Sequence, residues 1–167
     1  MTELRPVVSM ESLGKKANKN GEQLAIPKIA LILSYCGLIP FIALSVGLWF
    51  SPANQTEFLN NALITYSAII LSFIGAIYWG FCMSKNQKNK KKFYIFSVLP
   101  ALFGWLILLS DTFLNYFLFS MAFGCVCLFD VAQSKKGELP AWYPKLRVPV
   151  TILVITSLTN AQIFFII

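Results

Sequence analysis

Histidine is absent from this 167-residue chain, and its absence excludes more chemistry than any motif present adds. Without it there is no bis-histidine haem, no histidine-zinc site, and no Ser-His or Cys-His catalytic pair. Charge is scarce as well, at 13% of residues, where soluble domains carry about 25%. With 57% apolar residues, the composition excludes both a water-soluble domain and a disordered chain. It is that of a membrane protein. None of the apolar runs holds an ionisable residue near its middle, which argues against an ion-coupled or proton-coupled transporter, since these bury a carboxylate near the bilayer midplane.

Five apolar runs are candidates for spans: 29–50, 61–83, 93–109, 113–130 and 148–167. At 1.5 Å per residue the first, second and fifth reach roughly 30 to 35 Å, enough to cross the hydrocarbon core. The third and fourth are shorter and are separated only by Ser110, Asp111 and Thr112. They read as a tight helical hairpin that either crosses a thinned bilayer or re-enters. The fold class is therefore an all-α bundle of five transmembrane helices, preceded by a flexible basic tail over 1–28.

All 14 basic residues fall in the segments that this topology places on one side. They precede span one, follow span two, or lie between spans four and five. The positive-inside rule then puts the N-terminus in the cytoplasm, or in the mitochondrial matrix, and the C-terminus outside. Trp79 and Trp142 fall at the inner interface, where indole rings are favoured. The polar first 28 residues and the length of the first apolar run are unlike a cleaved secretory signal. The expected location is a bacterial inner membrane, or the mitochondrial inner membrane in a eukaryotic cell. The basic segments serve topology and can rest on anionic lipid; no nucleic-acid partner is expected.

Helices in lipid associate through close backbone approach at small residues. Span two carries Ala68, Ser72, Ala76 and Gly80 at intervals of four, with Gly75 alongside, and reads as the central helix. Pro40 and Pro100 break the hydrogen-bond ladders of spans one and three, freeing the carbonyls of Cys36 and Phe96. Cys36, Cys82, Cys125 and Cys127 all lie in apolar stretches and read as small buried hydrophobes. Cys125 and Cys127, two apart on a helix, point to different faces. No metal and no cofactor is expected. Span five bears Thr151, Thr156, Ser157, Thr159, Asn160 and Gln162, a load that calls for a protein or aqueous neighbour. The segment 138–147 alternates aromatic, proline and basic residues and should lie flat at the inner interface. Across it Asp130 and Arg147 are expected to pair, pinning spans four and five together.

Several groupings are similar to those of a small family of bacterial and mitochondrial inner-membrane proteins. They are Leu38-Ile-Pro-Phe41, Tyr66 with Leu71-Ser-Phe-Ile-Gly75 and Trp79-Gly80, Leu99-Pro100 with Trp105, Asp130, and Trp142-Tyr143 with Leu146-Arg147. The family is known only as a domain of unknown function and includes the animal mitochondrial transmembrane protein sixty-nine. The resemblance runs from about Ile29 to the C-terminus. It implies a five-span inner-membrane protein with no assigned activity. It also implies that Pro40, Ser72, Gly75, Trp79, Gly80, Pro100, Trp105, Asp130, Trp142, Tyr143 and Arg147 are packing and family-motif residues. Where the family pattern places a histidine before the span-two tryptophan, this chain has Tyr78.

Two functions are compatible with these residues. The first is a non-catalytic subunit, assembly factor or stabiliser of a larger membrane complex, with a membrane-protein partner or a second copy of the chain. The second is a binder or carrier of a small hydrophobic molecule such as a lipid or quinone, with Phe41, Phe73, Tyr78, Phe103 and Trp105 lining an intramembrane cleft. An enzyme is not expected, because a nucleophile and base at one depth are missing. The span-end carboxylates Asp111 and Asp130 lie on opposite sides.

Overall fold

Proline sets the start of both of the first two crossings. The amide of Leu31 donates to the carbonyl of Pro27, and that of Gln55 to the carbonyl of Pro52. Each proline thus occupies a helix entry, where its missing N–H costs nothing. The computed structural model describes residues 25–84, 90–110 and 114–167. Most of the tail expected over 1–28, together with Lys85, Lys88, Asp111 and Thr112, lies outside the described residues, as does residue 113 at the start of the fourth run.

The helices are α1 (Lys28–Cys36), α2 (Ile39–Phe50), α3 (Ala53–Ser84), α4 (Lys90–Leu109), α5 (Asn115–Lys135) and α6 (Tyr143–Ile166). With α1 and α2 forming one crossing, five stretches are long and apolar enough to span a membrane. The third and fourth crossings are 19 and 21 residues long, and α4 and α5 each rise roughly 30 Å or slightly more. They are longer than their uninterrupted apolar runs because α4 starts among the lysines and α5 continues past Asp130.

Three further bounds differ from the sequence reading. The first crossing is split at Gly37–Leu38, upstream of Pro40, which sits in the first turn of α2. The hydroxyl of Tyr66 donates to the Gly37 carbonyl at 2.9 Å and so satisfies the backbone at the break. The second crossing begins at Ala53 rather than 61, because Asn, Gln, Thr and Glu are compatible with a helix that extends beyond the lipid. The last begins at Tyr143 rather than 148. Pro144 falls in its first turn, so the second half of the supposed interfacial loop is helical.

α3 is central, packing against α2, α4 and α5, while α6 closes the bundle against α5, α2 and α1. Helices α3 and α4 approach closely at Gly75, where an added Cβ would lie 2.7 Å from the Ser97 carbonyl oxygen and 3.0 Å from the Pro100 ring. Pro100 lies inside an uninterrupted α4, where its ring fills a contact rather than breaking the helix. The interval-of-four stripe is only half right. Ala68 is buried, whereas Ala76 and Gly80 are exposed. At about 100° per residue, each step of four drifts about 40° around the helix. The face that packs instead passes through Ala68, Leu71, Gly75, Tyr78 and Cys82. Cys125 is exposed and Cys127 buried, and Cys36 also lies on the surface.

The connection from α5 to α6 turns at Gly137, whose φ of +73° is the single positive value among the described residues. The amide of Glu138 donates back to the carbonyl of Gln133, the hydrogen bond of a glycine-terminated helix.

Candidate functional site

One end of the bundle gathers the start of α1, the end of α3, the start of α4, the end of α5 and the start of α6. It carries every described lysine and arginine: Lys28, Lys90, Lys91, Lys92, Lys135, Lys136, Lys145 and Arg147. Just inside this basic end, Asp130 of α5 is fully buried. Its two carboxylate oxygens are divided between neighbours. The hydroxyl of Tyr78, from α3, donates to Oδ1, and Nε of Arg147, from α6, donates to Oδ2 at 3.0 Å. Tyr143, at the start of α6, stands beside the same carboxylate.

The pair expected across the α5–α6 connection therefore forms, but at the convergence of three helices. A buried carboxylate is tolerable only when its oxygens find donors, and here each oxygen has one, from Tyr78 and from Arg147. Aromatic rings wall the group from lipid. Phe93 stacks on Tyr78 at 5.8 Å, and Phe96 and Phe129 meet its ring edgewise at 5.2 and 5.3 Å. Lys92 places its ammonium 5.8 Å above Phe129, at the rim of this box.

The remaining motif residues are dispersed. Trp142 packs partly buried against the core. Trp79 is half-exposed, edge-on to Tyr94 at 5.1 Å. Trp105 is exposed, Ser72 is half-buried, and Gly80 is exposed. Among the described residues no three Cys, Asp or Glu side chains converge as metal ligands would. Sequence reasoning missed Tyr78 as a member of the group. The available signal was that a buried tyrosine hydroxyl must find an acceptor, and Asp130 lies at its depth.

Beside this group is a cavity of about 200 Å³, walled by α1, α2, α3, α5 and α6. It exists because α1 leaves the bundle. Before the break at Gly37 that helix has no buried residue and rests on α6. Phe41 and Phe123 form its inner wall, and Tyr143 and Arg147 line it at the basic end. Leu33 of α1 and Phe73 of α3, 66% and 68% exposed, are the outermost of its lining side chains. Arg147 is 9% exposed, and its Nη2 has no hydrogen-bond partner among the described residues. A second, more open groove of about 400 Å³ runs between α4 and α5, lined by Phe103, Pro100 and other apolar side chains. The five aromatics expected to share one cleft are thus divided. Phe41 and Phe73 line the cavity, Tyr78 belongs to the carboxylate group, Phe103 lines the groove, and Trp105 is on the outer surface.

Part of the polar load of the last crossing is met by hydrogen bonds to backbone carbonyls. Nδ2 of Asn160 donates to the Ser45 carbonyl at 3.1 Å. Thr156 and Ser157 turn their hydroxyls onto the backbone of Ile152 and Leu153.

Comparison with known proteins agrees with a membrane protein. Transmembrane protein 69 of Xenopus tropicalis is 32% identical over 141 residues, covering 82% of this chain and 54% of the relative. Transmembrane protein 69 of Mus musculus is 28% identical over 133 residues, covering 78% and 54%. The chain thus spans about half the length of these relatives. No solved structure matches. The family described as "Protein of unknown function (DUF3429)" matches residues 26–163, and the chain belongs to that family of multi-pass membrane proteins.

Proposed function

We propose that the protein is a non-catalytic binder of a small hydrophobic or amphipathic molecule, held between α1 and α3 in the inner leaflet of an inner membrane. The basic end faces the cytoplasm or the mitochondrial matrix, following the positive-inside rule. The observation that carries this reading is the cavity, which is apolar along its walls and polar at one end. That is the pattern of a small-molecule site, in which a few convergent polar groups orient a ligand held by apolar surface. The buried carboxylate group supports it by holding α3, α5 and α6 in place around the cavity.

The test is mass spectrometry of organic extracts from protein purified in mild detergent, beside a Ser34→Trp variant that fills the cavity. A molecule retained near one per chain in the parent, and lost in the variant, is the expected result. Lipids in bulk proportions in both would overturn the reading.

A role as a subunit or assembly factor is favoured by a different observation. Ala76 and Gly80 present small side chains on the outer face of α3, and nothing lies within 4 Å of a Cβ at Gly80. Such a face suits close approach of another helix, from a partner or from a second copy. Migration as a bare monomer on native gels after mild extraction would remove this support.

A further inference from the structure

The ligand's chemistry can be narrowed from the end of the cavity at which Arg147 sits. A guanidinium offers five N–H donors. Asp130 accepts from Nε at 3.0 Å, while Nη2 is buried without a partner among the described residues. A charged donor left unmet in an apolar setting is costly, and a carboxylate or phosphate oxygen is the acceptor that guanidinium geometry suits best.

The rest of the lining dictates what is attached to that oxygen. Leu33, Phe73 and Ile77 line the way out between α1 and α3, and none carries a polar side chain. About 200 Å³ is below the roughly 300 to 1,000 Å³ of sites that engulf a drug-sized ligand. It accommodates a small head and the beginning of a chain, whose remainder would continue past the exposed Leu33 and Phe73 into lipid. Lys28 and Lys145 are exposed at the same end of the bundle and add attraction for an anion approaching along the interface.

We propose that the cleft selects an acidic amphiphile, whose carboxylate or phosphate accepts a hydrogen bond from Nη2 of Arg147 while its chain leaves between α1 and α3. This rests on the binding reading above and adds the sign of the headgroup to it. Arg147 then serves two anions at once, fixing the bundle through Asp130 and the ligand through its outer nitrogen.

The experiment uses delipidated full-length protein in neutral detergent and native mass spectrometry or thermal-shift titration. The probes are oleic acid, dioleoyl phosphatidic acid, dioleoyl phosphatidylcholine, a ubiquinone with an isoprenoid tail, and inorganic phosphate. The expected result is one site that prefers at least one of the two acidic amphiphiles over phosphatidylcholine and the quinone by tenfold or more. Inorganic phosphate alone should bind far more weakly. Whichever acid binds better identifies a fatty acid or a phospholipid as the source.

Ser34→Trp, which leaves the Asp130–Arg147 pair untouched, should abolish saturable binding, and Arg147→Lys, checked for native thermal unfolding, should lose the acid preference. Equal binding of acidic and neutral probes, still abolished by Ser34→Trp, overturns the headgroup assignment and leaves the binding site standing. Absence of any saturable binding sensitive to Ser34→Trp overturns both.

Discussion

Tyr78 and Asp130, 52 positions apart in the chain, meet through a hydrogen bond from the phenol to Oδ1, and this contact ties α3 to α5 at the basic end of the bundle. Arg147 takes the other oxygen from α6. The three crossings are therefore joined through one carboxylate, and disturbing any member should be felt by all.

Removing both members of the ion pair should cost less than the two single removals added together. Arg147→Gln leaves the carboxylate of Asp130 buried without its counter-charge, a loss on the order of 3 to 5 kcal/mol. Tyr78→Phe removes one neutral donor and should cost about 1 to 3 kcal/mol. The double change Asp130→Asn with Arg147→Gln should destabilise less than the sum of its parts. Thermal unfolding in detergent measures all four, and unchanged midpoints for both Asp130→Asn and Arg147→Gln would refute the role given to the ion pair.

Two glycines of α3 should respond in opposite directions to the same substitution. Gly75→Ala places a methyl 2.7 Å from a backbone oxygen of α4, so the helices must separate, with a loss of about 1 to 3 kcal/mol. Gly80→Ala meets nothing and should stabilise by about 0.5 to 1 kcal/mol through helix propensity. A side-by-side melt decides, and equal shifts for the two would contradict the packing described.

Gly137 allows α5 to end where it does. At a φ of +73°, Gly137→Ala should cost about 1 to 2 kcal/mol from steric conflict between Cβ and backbone, although the site is open. An unfolding series of Gly137→Ala beside Gly137→Asn checks this, with Asn the milder change.

Single-cysteine labelling in intact membranes tests the topology. On a background free of the native thiols, probes at Lys92 and Lys136 should react from one compartment and a probe at Glu57 from the other. Reaction of Lys92 and Lys136 from opposite sides would dismantle the arrangement.

What could be read in the sequence followed from local physics. Apolar runs near bilayer length mark the crossings, and Asp130 and Arg147, bracketing a short connection, announce their own pairing. What escaped depended on rotation and distance. Residues 53–60 looked like a loop because they are polar, although polarity outside lipid is no obstacle to a helix. The stripe through Ala76 and Gly80 looked like a contact because an interval of four is near, but not equal to, a helical turn. Tyr78 looked like one of five aromatics lining a cleft, since its hydroxyl gains meaning only when α5 is beside it. The cavity arises from the departure of α1 at Gly37, which depends on how Tyr66, a helix away, holds that carbonyl.

Polar fastenings sit at both ends of the bundle. At one end is the Asp130 group; at the other, Tyr116 donates to Asn60 at 2.7 Å, and Asn115 donates to the Ser110 carbonyl at 2.9 Å. Greasy contacts between them set how near the helices stand but are indifferent to height, since one leucine can slide past another at little loss. The end fastenings supply the missing coordinate. A helix displaced lengthwise by a single turn, about 5.4 Å, would tear the polar joins at top and bottom together, so the vertical alignment of these crossings is held by a few hydrogen bonds while their spacing is held by the bulk of the side chains.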